Sequence, residues 1–166
     1  MVTAGTLWRM LEALLLIMAA NGAPILLVRL LPGIRLWPVD GGRCLQDGRR
    51  LFGHSKTWQG VWAAVGGTTL LAMLLGHAWF VGAATGAAAM AGDLFSSFIK
   101  RRMGIPASGQ ALAVDQLPEA LLPALVLTLW LPLTVLEVLL VVLLFFVLEL
   151  PLSRLLFHLG VRKKPY

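Results

Sequence analysis

The stretch from Val61 to Gly92 contains no Asp, Glu, Lys or Arg. As one helix it would run about 48 Å at 1.5 Å per residue, well beyond the roughly 30 Å hydrocarbon core of a bilayer. A soluble helix would carry polar residues on one face at a 3.6-residue period, and this stretch does not. It therefore reads as two membrane helices folded into a hairpin, with the turn near Gly76 and His77. Similar apolar blocks lie on either side, Leu7 to Leu31 and Leu117 to Leu150, and only 13% of the chain is charged against about 25% in soluble domains. The expectation is an all-α, polytopic membrane bundle of about five transmembrane helices, forming a single domain over 1–166.

The first block is long enough to cross a membrane with some tilt. Arg9 is its only early cation and further spans follow, so it reads as a retained helix rather than a cleaved signal. The last block is too long for one crossing, and Pro132 offers the break. This gives spans over Leu117 to Trp130 and Leu133 to Phe157. The cations fall between the blocks: Arg35, Arg43, Arg49, Arg50 and Lys56 in the first polar loop, Lys100, Arg101 and Arg102 in the second, and Arg162, Lys163 and Lys164 in the tail. With five spans, loops 32–60 and 93–115 and the C-terminus share one side, which the positive-inside rule makes the cytoplasm of a multi-pass cell-membrane protein. The net charge of +6 then serves topology and phosphate binding, and nucleic acid is not an expected partner. Cys44 is the only cysteine, which excludes an intrachain disulfide. Gly82 and Gly86 have a small-xxx-small spacing that suits close helix packing within one chain or across a homodimer.

Three stretches could carry chemistry. If the third span continues as helix, Asp93, Ser97 and Lys100 fall at i, i+4 and i+7 and share a face. Carboxylate and hydroxyl there suit a magnesium ion, and the ammonium suits phosphates bridged by it. A basic helix end anchored on anionic headgroups accounts for the same residues equally well. The first loop holds Asp47, Arg49, Arg50, Ser55, Lys56 and Thr57 among glycines, the composition of a phosphate cradle, without Walker A spacing. Asp115 opens the fourth span as either a helix cap or a second metal carboxylate. Glu137 and Glu149 read better as bundle contacts or interfacial carboxylates than as catalysts. His54 reads as a loop histidine and His77 as structural.

Taken together, Ala20-Asn21-Gly22-Ala23-Pro24, Asp40-Gly41-Gly42, Asp47 to Gly53, Lys56 to Gly60, Gly92-Asp93-Leu94 with Ser97 to Arg102, Asp115-Gln116-Leu117 and the tail Leu159 to Tyr166 resemble the CDP-archaeol synthases. These are short relatives of the CDP-diacylglycerol synthases. The resemblance implies transfer of CMP from CTP to a lipid monophosphate, with Mg2+ as cofactor and pyrophosphate as product. It implies Asp93 and Asp115 as metal carboxylates, Ser55 and Ser97 near metal and phosphate, and Lys56 and Lys100 on the triphosphate. Arg49, Arg50, Arg101 and Arg102 are further phosphate candidates. The longer relatives carry a Lys-Asp and a Pro-Gly-His-Gly-Gly stretch where this chain has Pro106-Ala107-Ser108-Gly109, so roles of those residues do not transfer. A CTP-dependent kinase acting on a polyprenol or phytol phosphate, a phosphatidate cytidylyltransferase and a non-enzymatic membrane scaffold are the competing readings.

Overall fold

The computed structural model describes residues 3–107, 109, 111–158 and 160, with the backbone alone at 112 and 113. The tail cations Arg162, Lys163 and Lys164, the tail motif apart from Gly160, and Ser108 lie outside the described residues. Five helices follow in chain order: α1 (Ala4–Leu30), α2 (Trp58–Leu74), α3 (Trp79–Arg102), α4 (Leu112–Leu127) and α5 (Val135–His158). Among the described residues the only extended pairing is two isolated antiparallel bridges, Pro38 with Thr57 and Cys44 with Arg50. The fold is all-α, as expected.

Local chemistry sets the helix ends. Thr57 caps α2 by accepting from the Gly60 N–H at 3.2 Å. Gly76, at φ +86°, ends α2 in a left-handed cap in which the Gly76 and His77 N–H groups donate back to Met73 and Ala72. The same motif closes α3, where Gly104 and Ile105 donate to Arg101 and Lys100. Thr134 and Glu137 start α5 with a reciprocal capping box, at 2.7 and 3.3 Å. Glu137 is therefore a helix cap.

The hairpin turn falls where expected, while α4 departs from its expected span. It begins at Leu112 rather than Leu117 and ends at Leu127 rather than Trp130. Its cap residue Ala111 offers no side-chain oxygen, so Asp115 is not the cap but a first-turn residue reaching back to the Ala111 N–H at 2.9 Å. The second polar loop shortens accordingly, because α3 runs on to Arg102.

The helices pack as a ring in chain order, α1 closing against α5 and also touching α3 and α4. One core layer holds Leu16, Ile17, Leu127, Val141 and Phe145, all essentially inaccessible. A second layer is built of small residues, Ala20, Ala64 and Ala89, with Met90. Gly82 and Gly86 face α2 of the same chain: a Cβ on Gly82 would stand 2.5 Å from the Thr68 carbonyl oxygen, and one on Gly86 would stand 2.8 Å from Val65 Cα. This stripe is consumed within the chain. Large apolar side chains such as Leu70, Leu136, Leu143 and Val147 stand on the outer surface, which costs free energy in water and none in hydrocarbon. Both α1 and α5 are long and apolar enough to cross a membrane.

Candidate active site

The polar loop between α1 and α2 is organised around Asp40, whose side chain is inaccessible. It receives a two-pronged grip from Arg50, Nε at 3.2 Å and a terminal nitrogen at 2.5 Å. The backbone N–H groups of Gly42, Phe52 and Gly53 also donate to it, at 3.0 to 3.2 Å. Burial alone would raise this carboxyl, but Arg50 and the three amides overcome burial and hold it at about 2. The loop is thus folded about one permanent negative charge.

Two arginines clasp this loop to the end of α3. Arg49 donates to the Arg102 carbonyl at 2.8 Å and to that of Arg101 at 3.3 Å. Arg102 answers by donating to the Arg50 carbonyl at 2.7 Å and to the Arg49 carbonyl at 3.2 Å. It also pairs with Asp47 at 2.6 Å and lies over the Phe98 ring. Arg49 N–H first, then Arg102, holds the Asp47 carboxyl below its ordinary range.

The clasp brings the loop's single lysine over α3. Lys56 Nζ meets Asp93 Oδ1 at 2.5 Å. Burial works against the Lys56 ammonium, but Asp93 and Glu119 more than compensate and hold it above its ordinary range. Two turns along α3 from Asp93, Lys100 pairs with Asp115 Oδ1 at 2.5 Å and donates to the Gly109 carbonyl at 3.1 Å. Asp115 and Glu119 are four residues apart on α4 and so stack on one helical face. Beside Glu119 the backbone of α4 packs directly against α3 at Gly92. Gly92 makes this possible: a Cβ there would lie 2.5 Å from the Pro118 carbonyl carbon and 2.9 Å from the Glu119 nitrogen. The backbones of α3 and α4 touch directly one residue before Asp93 and one before Glu119.

The expected site residues thus divide. Asp93, Lys56, Lys100 and Asp115 form two neighbouring ion pairs, and Ser97 is buried on the Asp93 face of α3. Asp47, Arg49, Arg50 and Arg102 are engaged in holding the loop, and Thr57 is buried as the α2 cap. Arg101 turns to the Pro106 carbonyl at 2.9 Å. Ser55 and His54 are exposed. Glu119 is the member that sequence reasoning left without a role. Its signal was the four-residue step from Asp115, which acquires meaning only when the helix begins before Asp115.

Among the described residues, no group of three or more His, Cys, Asp or Glu side chains could hold a metal ion unaided. Magnesium commonly takes one or two carboxylates and completes its octahedron with phosphate oxygens and water. The carboxylates at the α3–α4 contact fit that pattern, with lysines placed to meet the same phosphates. The arrangement is suited to holding a polyphosphate and a divalent cation against each other.

The CarS-like, CDP-archaeol synthase family model matches residues 6–87 and 77–166 of the chain. The CDP-archaeol synthase of Hyperthermus butylicus is 36% identical over 116 residues, covering 64% of this chain and 66% of that relative. That of Saccharolobus solfataricus is 40% identical over 97 residues, covering 55% and 58%. That of Thermococcus onnurineus is 38% identical over 109 residues, covering 59% and 61%. The matched part of the chain thus spans 58% to 66% of the length of these relatives, less than two thirds of each. A solved intramembrane enzyme for archaeal membrane lipid biosynthesis superposes with a TM-score of 0.69 and 31% identity, over 86% of this chain and 90% of that one. With family matches running from residue 6 to 166, this membrane protein belongs to the CDP-archaeol synthase family.

Proposed function

We propose that this chain transfers CMP from CTP to a membrane lipid monophosphate, an archaeol-type or other glycerol or isoprenoid phosphate, giving a CDP-lipid and pyrophosphate. The observation that carries the reading is the joining of three separate segments by the pairs Lys56–Asp93 and Lys100–Asp115. Family membership supports it. A phosphate monoester is largely ionised near neutrality, its second pKa being about 6, so the site needs no strong base to activate it. One phosphate oxygen of the lipid bonds to the α-phosphorus of CTP, the bond from that phosphorus to the bridging oxygen breaks, and pyrophosphate leaves with the electron pair.

Two anionic groups must be held in line for this, and their repulsion must be offset. Lys56 and Lys100 would release their carboxylates to take the triphosphate. Magnesium, when bound, would neutralise charge between the phosphates, held by carboxylates at the α3–α4 contact with Asp93 and Asp115 as candidates. The whole chain acts as one unit in this reading. All five helices cross the bilayer, and the basic loops and C-terminus face the cytoplasm, where CTP is found.

The test is pyrophosphate release from CTP by purified protein in detergent with magnesium. The lipid panel is phosphatidate, digeranylgeranylglyceryl phosphate and polyprenyl phosphates, beside Asp93→Asn and Asp115→Asn controls. Release with one lipid and loss in folded controls is expected. CDP as the nucleotide product would indicate phosphoryl transfer instead, and absence of CTP binding would refute the enzymatic reading.

A further inference from the structure

All six tryptophans of the chain are exposed: Trp8, Trp37, Trp58, Trp62, Trp79 and Trp130. Five stand within two turns of a helix end, and the sixth, Trp37, lies in the polar loop before α2. Exposed tryptophan at helix ends is the pattern of a membrane interface, where the ring meets acyl chains and its N–H meets headgroups. At the far end of the bundle Phe80 joins Trp79 and Trp130, with ring centroids 6.0 and 5.9 Å away.

The depth of Trp37 is fixed by α2. Residues 37 to 39 run alongside its start: the Trp58 N–H donates to the Trp37 carbonyl at 2.9 Å, and the Val39 N–H to the Lys56 carbonyl at 2.8 Å. The Gln59 side chain closes this pairing, its Oε1 accepting from the Trp37 N–H at 2.9 Å and its Nε2 donating to the Arg35 carbonyl at 3.0 Å. Arg35, Leu36 and Trp37 are held level with the first residues of α2 and all three are left exposed. The 17 residues of α2 make a helix of about 25 Å, shorter than the roughly 30 Å hydrocarbon core, and tilt shortens its reach further. A crossing helix this short has no turn to spare beyond the membrane. Its first residue lies in the headgroup layer, and whatever is paired to that residue lies there too.

We propose that Arg35, Leu36 and Trp37 form an interfacial anchor in the headgroup layer, with Leu36 and Trp37 on the acyl boundary and Arg35 on the lipid phosphates, and that Gln59 is the clamp holding it there. The partner is the bilayer surface itself. This rests on the reading that α2 crosses the membrane. The same pairing carries Lys56, so the anchor sets that ammonium at the level where lipid phosphates lie.

The test is spin labelling of full-length protein in vesicles of phosphatidylcholine and phosphatidylglycerol. It compares nitroxide collision with oxygen, which concentrates in the bilayer, and with a water-soluble nickel chelate. Nitroxide is placed on native Cys44, exposed in the same loop, and, in a Cys44→Ser background, at Leu36→Cys and at Leu70→Cys, exposed on α2. The label at position 36 should favour oxygen over the chelate several-fold more than the label at 44, and Gln59→Leu should abolish most of that difference. A label at 36 that meets the chelate as freely as the one at 44 would overturn the proposal, a result that does not depend on how Gln59→Leu folds. A label at 36 shielded from both reagents would be covered by protein, such as a second copy of the chain, and would overturn it as well. Unchanged immersion in a folded Gln59→Leu protein would overturn the role of the clamp. The label at 70 separates the premises: if it meets the chelate, α2 does not cross and both readings fall, and if oxygen alone reaches it while the label at 36 meets the chelate, only the anchor falls.

Discussion

Gly92→Ala is the smallest change that should separate the two halves of the site. The added methyl would stand 2.5 Å from the Pro118 carbonyl carbon, 2.9 Å from the Glu119 nitrogen, and closer still to the Pro118 carbonyl oxygen. These are backbone atoms that no rotamer change can move, so α4 must retreat from α3 by roughly 1 Å to restore ordinary contact. Overpacking of this kind costs about 3 kcal/mol at the upper end of its range. Alanine's better helix propensity returns about 1 kcal/mol, which leaves a net loss of about 2 kcal/mol. The functional loss should be larger than the stability loss implies. A displacement near 1 Å at a positioned reaction costs about 100-fold, and Asp93 and Glu119 sit at the level where the helices part. The assay pairs thermal unfolding in detergent with pyrophosphate release from CTP. Gly66→Ala is the control: it lies exposed on α2 with nothing near its added methyl, so it should be stabilising by up to about 1 kcal/mol and fully active. A Gly92→Ala protein with wild-type turnover would refute the claim that this contact sets the site.

Asp40→Asn should destabilise the loop by about 2 kcal/mol, from the difference between the ordinary carboxyl value of 3.8 and the folded value of about 2. Because the folded value is depressed, that contribution is complete above about pH 4 and fades as pH falls toward 2; acid unfolding monitored by tryptophan fluorescence should lose this component in the mutant. Thr57→Ala should lower the melting temperature through loss of about 1 kcal/mol of capping, while Thr57→Ser keeps it. CTP affinity per folded molecule should be unchanged in both, whereas a direct phosphate contact would make it fall. Glu137→Ala should cost about 1 kcal/mol by removing the α5 capping box, with kcat and KM unaffected in the same transfer assay.

The parts of the fold visible in the sequence are those decided locally. An uncharged stretch too long for one crossing must turn, and Gly76 followed by His77 supplies the left-handed cap that turns it. Pro132 marks the α4–α5 break for a similar reason. The start of α4 was hidden because Ala111 carries no capping oxygen and Leu112-Ala113-Val114 resembles the end of a loop as much as the start of a helix. That short misplacement concealed the Asp115–Glu119 face. Asp93 and Lys100 were legible as a shared face because α3 is continuous through both. The arginines were legible as cations but not in their partners. Whether Arg49 grips a phosphate or the Arg102 carbonyl depends on contacts more than fifty residues away, which no local pattern encodes.

The mutual grip of Arg49 and Arg102 also bears on the order in which the protein is made. Its bonds join residues 52 to 55 positions apart, and each needs a carbonyl or carboxylate supplied by the other segment. The loop before α2 leaves the ribosome long before residue 102, and until then it lacks the partners that fix Arg49 and seat Lys56 over Asp93. Its final shape must wait for the hairpin of α2 and α3 to form and for the end of α3 to emerge. A nascent chain arrested before Arg102 should therefore leave this loop open to protease, and one released beyond the start of α4 should close it.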